Sequence, residues 1–186
     1  PAFSPDGRWI AFAETQPNYF RVLKLHDLAS GETHRVTEGL AEIGAPAFSR
    51  DGAHLFFTGS TNFGPRTVFL DMSTQDRPLR RGIYALVLAA DGETPLPPKT
   101  GDEPAQADAA GDNGSGEDAD ASGSDLPATR IDLDGLADRM VALPVASADY
   151  TGLAVAKDGA LWYLDRRQPG SVDEPPSDRD RAVHSL

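Results

Sequence analysis

The sequence predicts an all-β chain made of repeated antiparallel sheets, on three observations. First, Pro1-Ala2-Phe3-Ser4-Pro5-Asp6-Gly7-Arg8-Trp9-Ile10-Ala11-Phe12 returns as Pro46-Ala47-Phe48-Ser49-Arg50-Asp51-Gly52-Ala53-His54-Leu55-Phe56-Phe57, a period of 46 − 1 = 45 residues. Second, each copy sets Asp-Gly between two apolar stretches, the mark of a tight hairpin whose positive φ angles cost Gly almost nothing. Third, the runs after the turn, Trp9 to Phe12 and Leu55 to Phe57, are apolar on both faces. An exposed sheet alternates, whereas a sheet wedged between two others need not. A repeat of roughly 40–45 residues built of short strands is that of a β-propeller blade. The expected fold is a partial β-propeller of about three to four blades, each with four antiparallel strands, cut from a larger propeller.

Taken in order, the first blade continues with a strand over Tyr19 to Leu28, a turn at Ala29-Ser30-Gly31-Glu32 and a short strand over Thr33 to Thr37. The Gly-Glu-Thr of that turn recurs at Gly92-Glu93-Thr94, an offset of 93 − 32 = 61, so the second blade carries 61 − 45 = 16 extra residues. They fall within 58–82, ahead of a strand over Ile83 to Leu88, and include the basic pair Arg80-Arg81. A long loop on a rigid scaffold often carries function, although a surface excursion is the plainer reading. From Pro95 to Pro127 the chain is Asp, Glu, Ala, Gly, Ser and Pro with hardly an apolar side chain. Such a stretch cannot bury enough surface to offset the entropy of ordering. Beyond it, Arg130-Ile131-Asp132-Leu133 alternates as a half-buried strand, and Arg139 to Val145 reads as another, with Pro144 at its edge or end. A third hairpin, one residue shorter, centres on Asp158-Gly159, followed by a loop over Gln168 to Arg179 and the start of a strand over Asp180 to Leu186. The chain therefore divides into blades over 1–99 with the insertion in 58–82, a disordered acidic loop over 100–127, and further blade structure over 128–186. Because Pro1 opens at what reads as the second strand of a repeat and no Met precedes it, the sequence is expected to be a piece of a longer protein.

Composition narrows the function classes. The formal net charge of −12 argues against a nucleic-acid backbone and against an anionic membrane surface, both of which want a basic face. No run of about 18 apolar residues is present, so no membrane-spanning helix is expected. There is no Cys, hence no disulfide and no thiolate metal site. His26, His34, His54 and His184 are not spaced as metal ligands and read as surface or blade-edge residues. Gly114-Ser115-Gly116 lies in the acidic stretch, where no nucleophile is held in place, and no Gly-x-Ser-x-Gly elbow occurs. Ser4, Asp6, Gly7 and Trp9 miss the sialidase "Asp box", which needs a residue between Asp and Gly, so Asp6 and Asp51 read as turn formers. No phosphate loop or dinucleotide fingerprint is present. The residues thus predict no catalytic, cofactor-binding or metal site, and no cofactor: a scaffold or binding module.

The Phe-Ser-Pro-Asp-Gly unit with its apolar run is similar to the repeats of TolB-type and prolyl-oligopeptidase propellers. Leu70-Asp71-Met72-Ser73, Arg77-Pro78-Leu79-Arg80-Arg81, Ile83-Tyr84, Ile131 through Arg139, Leu143-Pro144-Val145 and Tyr150 resemble the later part of the second, seven-bladed propeller of the tricorn protease family. The acidic stretch near Asp102-Glu103 falls where that family carries a variable acidic loop, and the resemblance covers nearly the whole chain. It implies a large cytoplasmic serine peptidase that cuts peptides, with two propellers, a PDZ-like domain and a catalytic core, assembled as a hexamer. Peptide substrates are then expected to pass along the propeller axis, with the rest of the peptidase chain as the other partner. The family's catalytic Ser and His lie downstream of this segment, so no catalytic residue carries over. Nor is its basic anchor for a substrate C-terminus matched by Arg80-Arg81 or Arg166-Arg167. Two alternatives stay open: a TolB-like propeller docking protein partners in the cell envelope, hence periplasmic, and the lid propeller of a prolyl-oligopeptidase-like hydrolase.

Overall fold

A computed structural model describes residues 1–61, 80–96 and 127–166, and the backbone of 181–185. The acidic stretch, apart from Pro127, lies outside the described residues, as do most of the insertion and the loop over Gln168 to Arg179.

Eleven strands and one short helix form three antiparallel sheets among the described residues. The first runs β1 (Ala2–Phe3), β2 (Trp9–Thr15), β3 (Arg21–Asp27) and β4 (Thr33–Arg35). The second runs β5 (Glu42–Phe48), β6 (His54–Ser60), β7 (Gly82–Val87) and β8 (Met140–Ala142). The third runs β9 (Tyr150–Val155), β10 (Leu161–Arg166) and β11 (Arg181–Ser185). Strand follows neighbouring strand in each, the meander of a propeller blade, so the chain is a partial β-propeller. The strand ahead of Asp-Gly is the first of its sheet and not the second, because β1 pairs only with β2. The connection between β6 and β7 spans 61–81 against 16–20 between β2 and β3, a difference of 21 − 5 = 16 residues.

The middle sheet explains the unalternating apolar runs. Leu55 and Phe57 pack toward the first sheet against Trp9, Ala11, Leu23 and Leu25. Phe56, on the opposite face of the same strand, packs with Ile83 against Tyr150, Leu153, Leu161 and Tyr163 of the third sheet. Successive side chains of a strand point to opposite faces, so a strand covered on both sides is apolar throughout. Full burial of each Leu or Phe contributes about 1.5–3 kcal/mol. The outer sheets are covered on one described face only. Ile10 and Phe12 are half-buried, and Trp162 is 43% exposed. Trp162 lies between Leu161 and Tyr163, so it points away from the middle sheet, which accounts for its exposure.

The hairpins are built differently from a two-residue turn. Only the Gly takes a positive φ, 71° at both Gly7 and Gly52. The Asp instead turns its carboxylate inward. Ser4 Oγ donates to Asp6 Oδ1 at 2.6 Å and accepts from the Trp9 N–H at 2.9 Å; the Arg8 N–H also donates to Asp6 Oδ1 at 3.1 Å. Ser49, Asp51, Ala53 and His54 repeat the set at 2.5, 2.8 and 3.0 Å. The third hairpin closes from Ala156 to Ala160, a separation of 4 against 5 from Ser4 to Trp9, and has no Ser.

Residues 130–133, expected as a strand, join no ladder among the described residues. Thr129 N–H donates to Asp6 Oδ2 at 2.8 Å, Asp132 N–H to the Leu88 carbonyl at 3.0 Å, and the Ala90 N–H to Asp132 Oδ2 at 2.8 Å. The alternating Asp that suggested a solvent face is spent on the backbone of the second blade. A 3₁₀ turn over Leu136–Arg139 follows, entered through Gly135 at φ 63°. The Arg139 guanidinium then ties together the carbonyls of Val87, Leu88, Asp132 and Asp134. This shortens the strand expected over Arg139 to Val145 to Met140–Ala142.

Candidate functional site

Among the described residues the innermost strands β1, β5 and β9 each pair on one side only, and β5 touches both of the others. Between them lies a cleft of about 660 Å³. Pro1, Pro46 and Leu153 line it, and all three sit five positions before their Asp-Gly: 6 − 5 = 1, 51 − 5 = 46, 158 − 5 = 153. Ala45 and Gly152 share the position before that. Equivalent repeat positions meeting at one place is what propeller pseudosymmetry produces at its axis. The cleft is therefore axial.

The local backbone suits a free inner edge. Pro46 has no N–H to leave unpaired, and the β5–β6 register breaks between Gly44 and Ala47. Ala45 takes a φ of 47°, an uncommon value for a residue with a Cβ. Pro and a bulge both blunt an edge against pairing with another strand.

Phe12 and Ala13 add apolar surface, and Arg21 is the charged member of the lining. Arg21 opens β3, and Glu42 opens β5 in the neighbouring sheet. Glu42 is fully buried and accepts from Arg21 Nε and Nη2 at 2.6 Å on one oxygen and from the Arg21 N–H at 3.1 Å on the other. A Cβ at Gly44 would stand 3.3 Å from Arg21 Nη2, so Gly44 leaves the guanidinium its passage. The Arg21 side chain remains 30% exposed.

The basic residues singled out in the sequence lie elsewhere. Arg81 is buried and donates to Asp149 Oδ1 at 2.7 Å, while Arg166 Nε donates to Asp149 Oδ2 at 2.8 Å. Arg80 donates to the Ser147 carbonyl at 3.2 Å. These contacts join the second and third blades. His26 meets Thr33 Oγ1 at 2.9 Å, His54 meets the Glu93 carbonyl at 2.9 Å, and His34 stands 3.8 Å from Glu32. The structure brings none of the three to the cleft. The lining offers apolar contact and N–H donors, which suit holding an extended chain. Arg21, Glu42 and Asp149 were not legible beforehand, because a charge at the end of an apolar strand looks like ordinary solvated punctuation.

No family model matches the chain. Over 162 residues it is 35% identical to tricorn protease homolog 1 of Streptomyces coelicolor, covering 86% of this chain and 14% of that relative. It is 28% identical over 195 residues to putative tricorn protease homolog 2 of the same organism, covering 98% of this chain and 16% of the relative. The crystal structure of the tricorn protease superposes on 90% of this chain and 15% of its own, with a TM-score of 0.57 at 15% identity, and so shares its fold. The chain belongs to the tricorn protease family, as a propeller segment spanning 14% and 16% of the length of the two curated relatives it matches.

Proposed function

We propose that this segment guides peptide substrates toward a catalytic core elsewhere in a tricorn-type serine peptidase, and cuts nothing itself. The axial cleft carries the reading: three equivalent repeat positions converge on an apolar wall with one guanidinium. Nucleophilic hydrolysis needs a Ser beside a positioned His. The ring contacts of the described His residues go to Thr33 Oγ1, the Glu93 carbonyl and Glu32, none of them a Ser. The net charge of −12 favours entry of basic or neutral peptides over acidic ones, with added salt narrowing the difference. Cytoplasmic residence and hexameric assembly belong to this reading through the family resemblance. The test is Ala13→Trp in the full-length protein, which fills the cleft. Turnover of long peptides should fall about tenfold or more in kcat/KM, a barrier change near 1.4 kcal/mol, while a short chromogenic substrate is cut as before. Equal effects on long and short substrates would remove the guiding role.

A further inference from the structure

We infer that Arg21 is a docking point for the main-chain carbonyls of an uncharged, extended peptide segment, and that Glu42 is the positioning residue that keeps this point from selecting acidic peptides. The inference rests on the guiding role and assigns the substrate class at the same cleft.

A guanidinium carries five N–H donors in a planar fork. The Glu42 contacts use the Nε donor and one on Nη2; the rest find no acceptor among the described residues, on a side chain 30% exposed at the cleft wall. Glu42 is buried and accepts every Arg21 donor that faces it, including the main-chain N–H. The pair is thus neutral as a unit, with its positive end toward the cleft. A carboxylate arriving there meets a charge already compensated at 2.6 Å and, beyond it, the field of a chain with net charge −12. A peptide carbonyl needs no net charge to accept a strong bond from an ionised donor.

Strand addition is the other way to hold an extended peptide. Here the β5 edge is blunted by Pro46 and by the register break between Gly44 and Ala47. Along β5, donors for the peptide backbone then come from a side chain, and Arg21 stands at that wall. In an extended segment the side chains project roughly at right angles to the carbonyls, so a carbonyl on Arg21 leaves side chains free to meet Phe12, Pro46 and Leu153.

The test uses the full-length protein and long peptides matched except for acidic, neutral or basic internal residues. In the wild type, neutral peptides should have the lower KM than acidic ones. Glu42→Gln leaves the guanidinium uncompensated and should raise kcat/KM for the acidic peptide relative to the neutral one. Arg21→Met combined with Glu42→Gln removes the pair together, avoiding an isolated buried charge. It should raise KM for the neutral peptide roughly tenfold at unchanged kcat, the loss of one charge-assisted bond. A wild type that prefers acidic peptides, an unchanged acidic-to-neutral ratio in folded Glu42→Gln, or a wild-type KM in the double variant would overturn the assignment. If Ala13→Trp still blocks long peptides in those cases, only this inference fails; if it does not, the guiding role fails too.

Discussion

At the scale of single residues, the hairpins turn on a carboxylate whose charge is used locally. Burial pushes the Asp6 carboxyl up, but the Ser4 hydroxyl and the N–H groups of Thr129 and Arg8 outweigh it and hold its pKa below the ordinary value. Asp51 behaves likewise, with burial opposed by Ser49 and the Ala53 N–H. A third carboxylate, Asp27, is held well below the carboxylate range by the Arg8 guanidinium and the Ala29 N–H. A folded pKa below the unfolded one stabilises the fold fully above about pH 4 and loses that contribution as pH falls through the folded value. Asp6→Asn with Asp51→Asn should therefore weaken the first two blades at neutral pH, with a deficit that shrinks in acid. Urea midpoints for protease resistance within 1–61, compared at neutral and acid pH, measure this. A deficit constant with pH would mean that the charge is irrelevant. The turn role of these Asp residues was legible from Asp-Gly alone. The Ser relay was not, since nothing in the spelling says that Ser4 both donates to the carboxylate and caps the Trp9 N–H.

At the scale of elements, the 45-residue period foretold the sheets because each copy carries its own turn and its own core residues. Periodicity failed at 130–133, where it reports a face but not a partner, and the partners are a side chain of the first blade and a carbonyl of the second. The segment passes so close to the second hairpin that a Cβ on Gly52 would stand 2.6 Å from Thr129 Oγ1. Gly7, at the same φ of 71°, has nothing within 4 Å. Both Gly→Ala substitutions carry the left-handed backbone cost of about 1–2 kcal/mol. Gly52→Ala adds a clash with Thr129, which is itself buried. Hydrogen exchange at the Thr129 amide in the full-length protein should quicken clearly in Gly52→Ala and little in Gly7→Ala. Similar behaviour of the two variants would show that the contact does not hold the segment.

At the scale of the molecule, neighbouring blades are joined twice over, by apolar faces and by a buried carboxylate each. Glu42 ties the second blade to Arg21 of the first; Asp149 ties the third to Arg81 of the second. These clamps pair residues on different sheets, 42 − 21 = 21 and 149 − 81 = 68 positions apart, so no local pattern announces them. The repeat was legible by contrast, because pseudosymmetry is written in the period; that its equivalent positions meet at a cleft was not. A buried ion pair adds little over an apolar one, since desolvation offsets its attraction, but removing one partner is severe. Asp149→Ala takes from Arg81, 5% exposed, a buried carboxylate at 2.7 Å. Arg166, 43% exposed in its side chain, can return to water. The expected cost is about 3–5 kcal/mol, borne by the junction of the second and third blades. Exchange of β9 and β10 amides in the full-length protein should accelerate while that of β2 and β3 stays near wild type. Combining Asp149→Ala with Arg81→Met should recover much of the loss, because both members of the buried ion pair are then removed together. Uniform acceleration across all three sheets, or no recovery in the double variant, would show that the pair does not act at this junction.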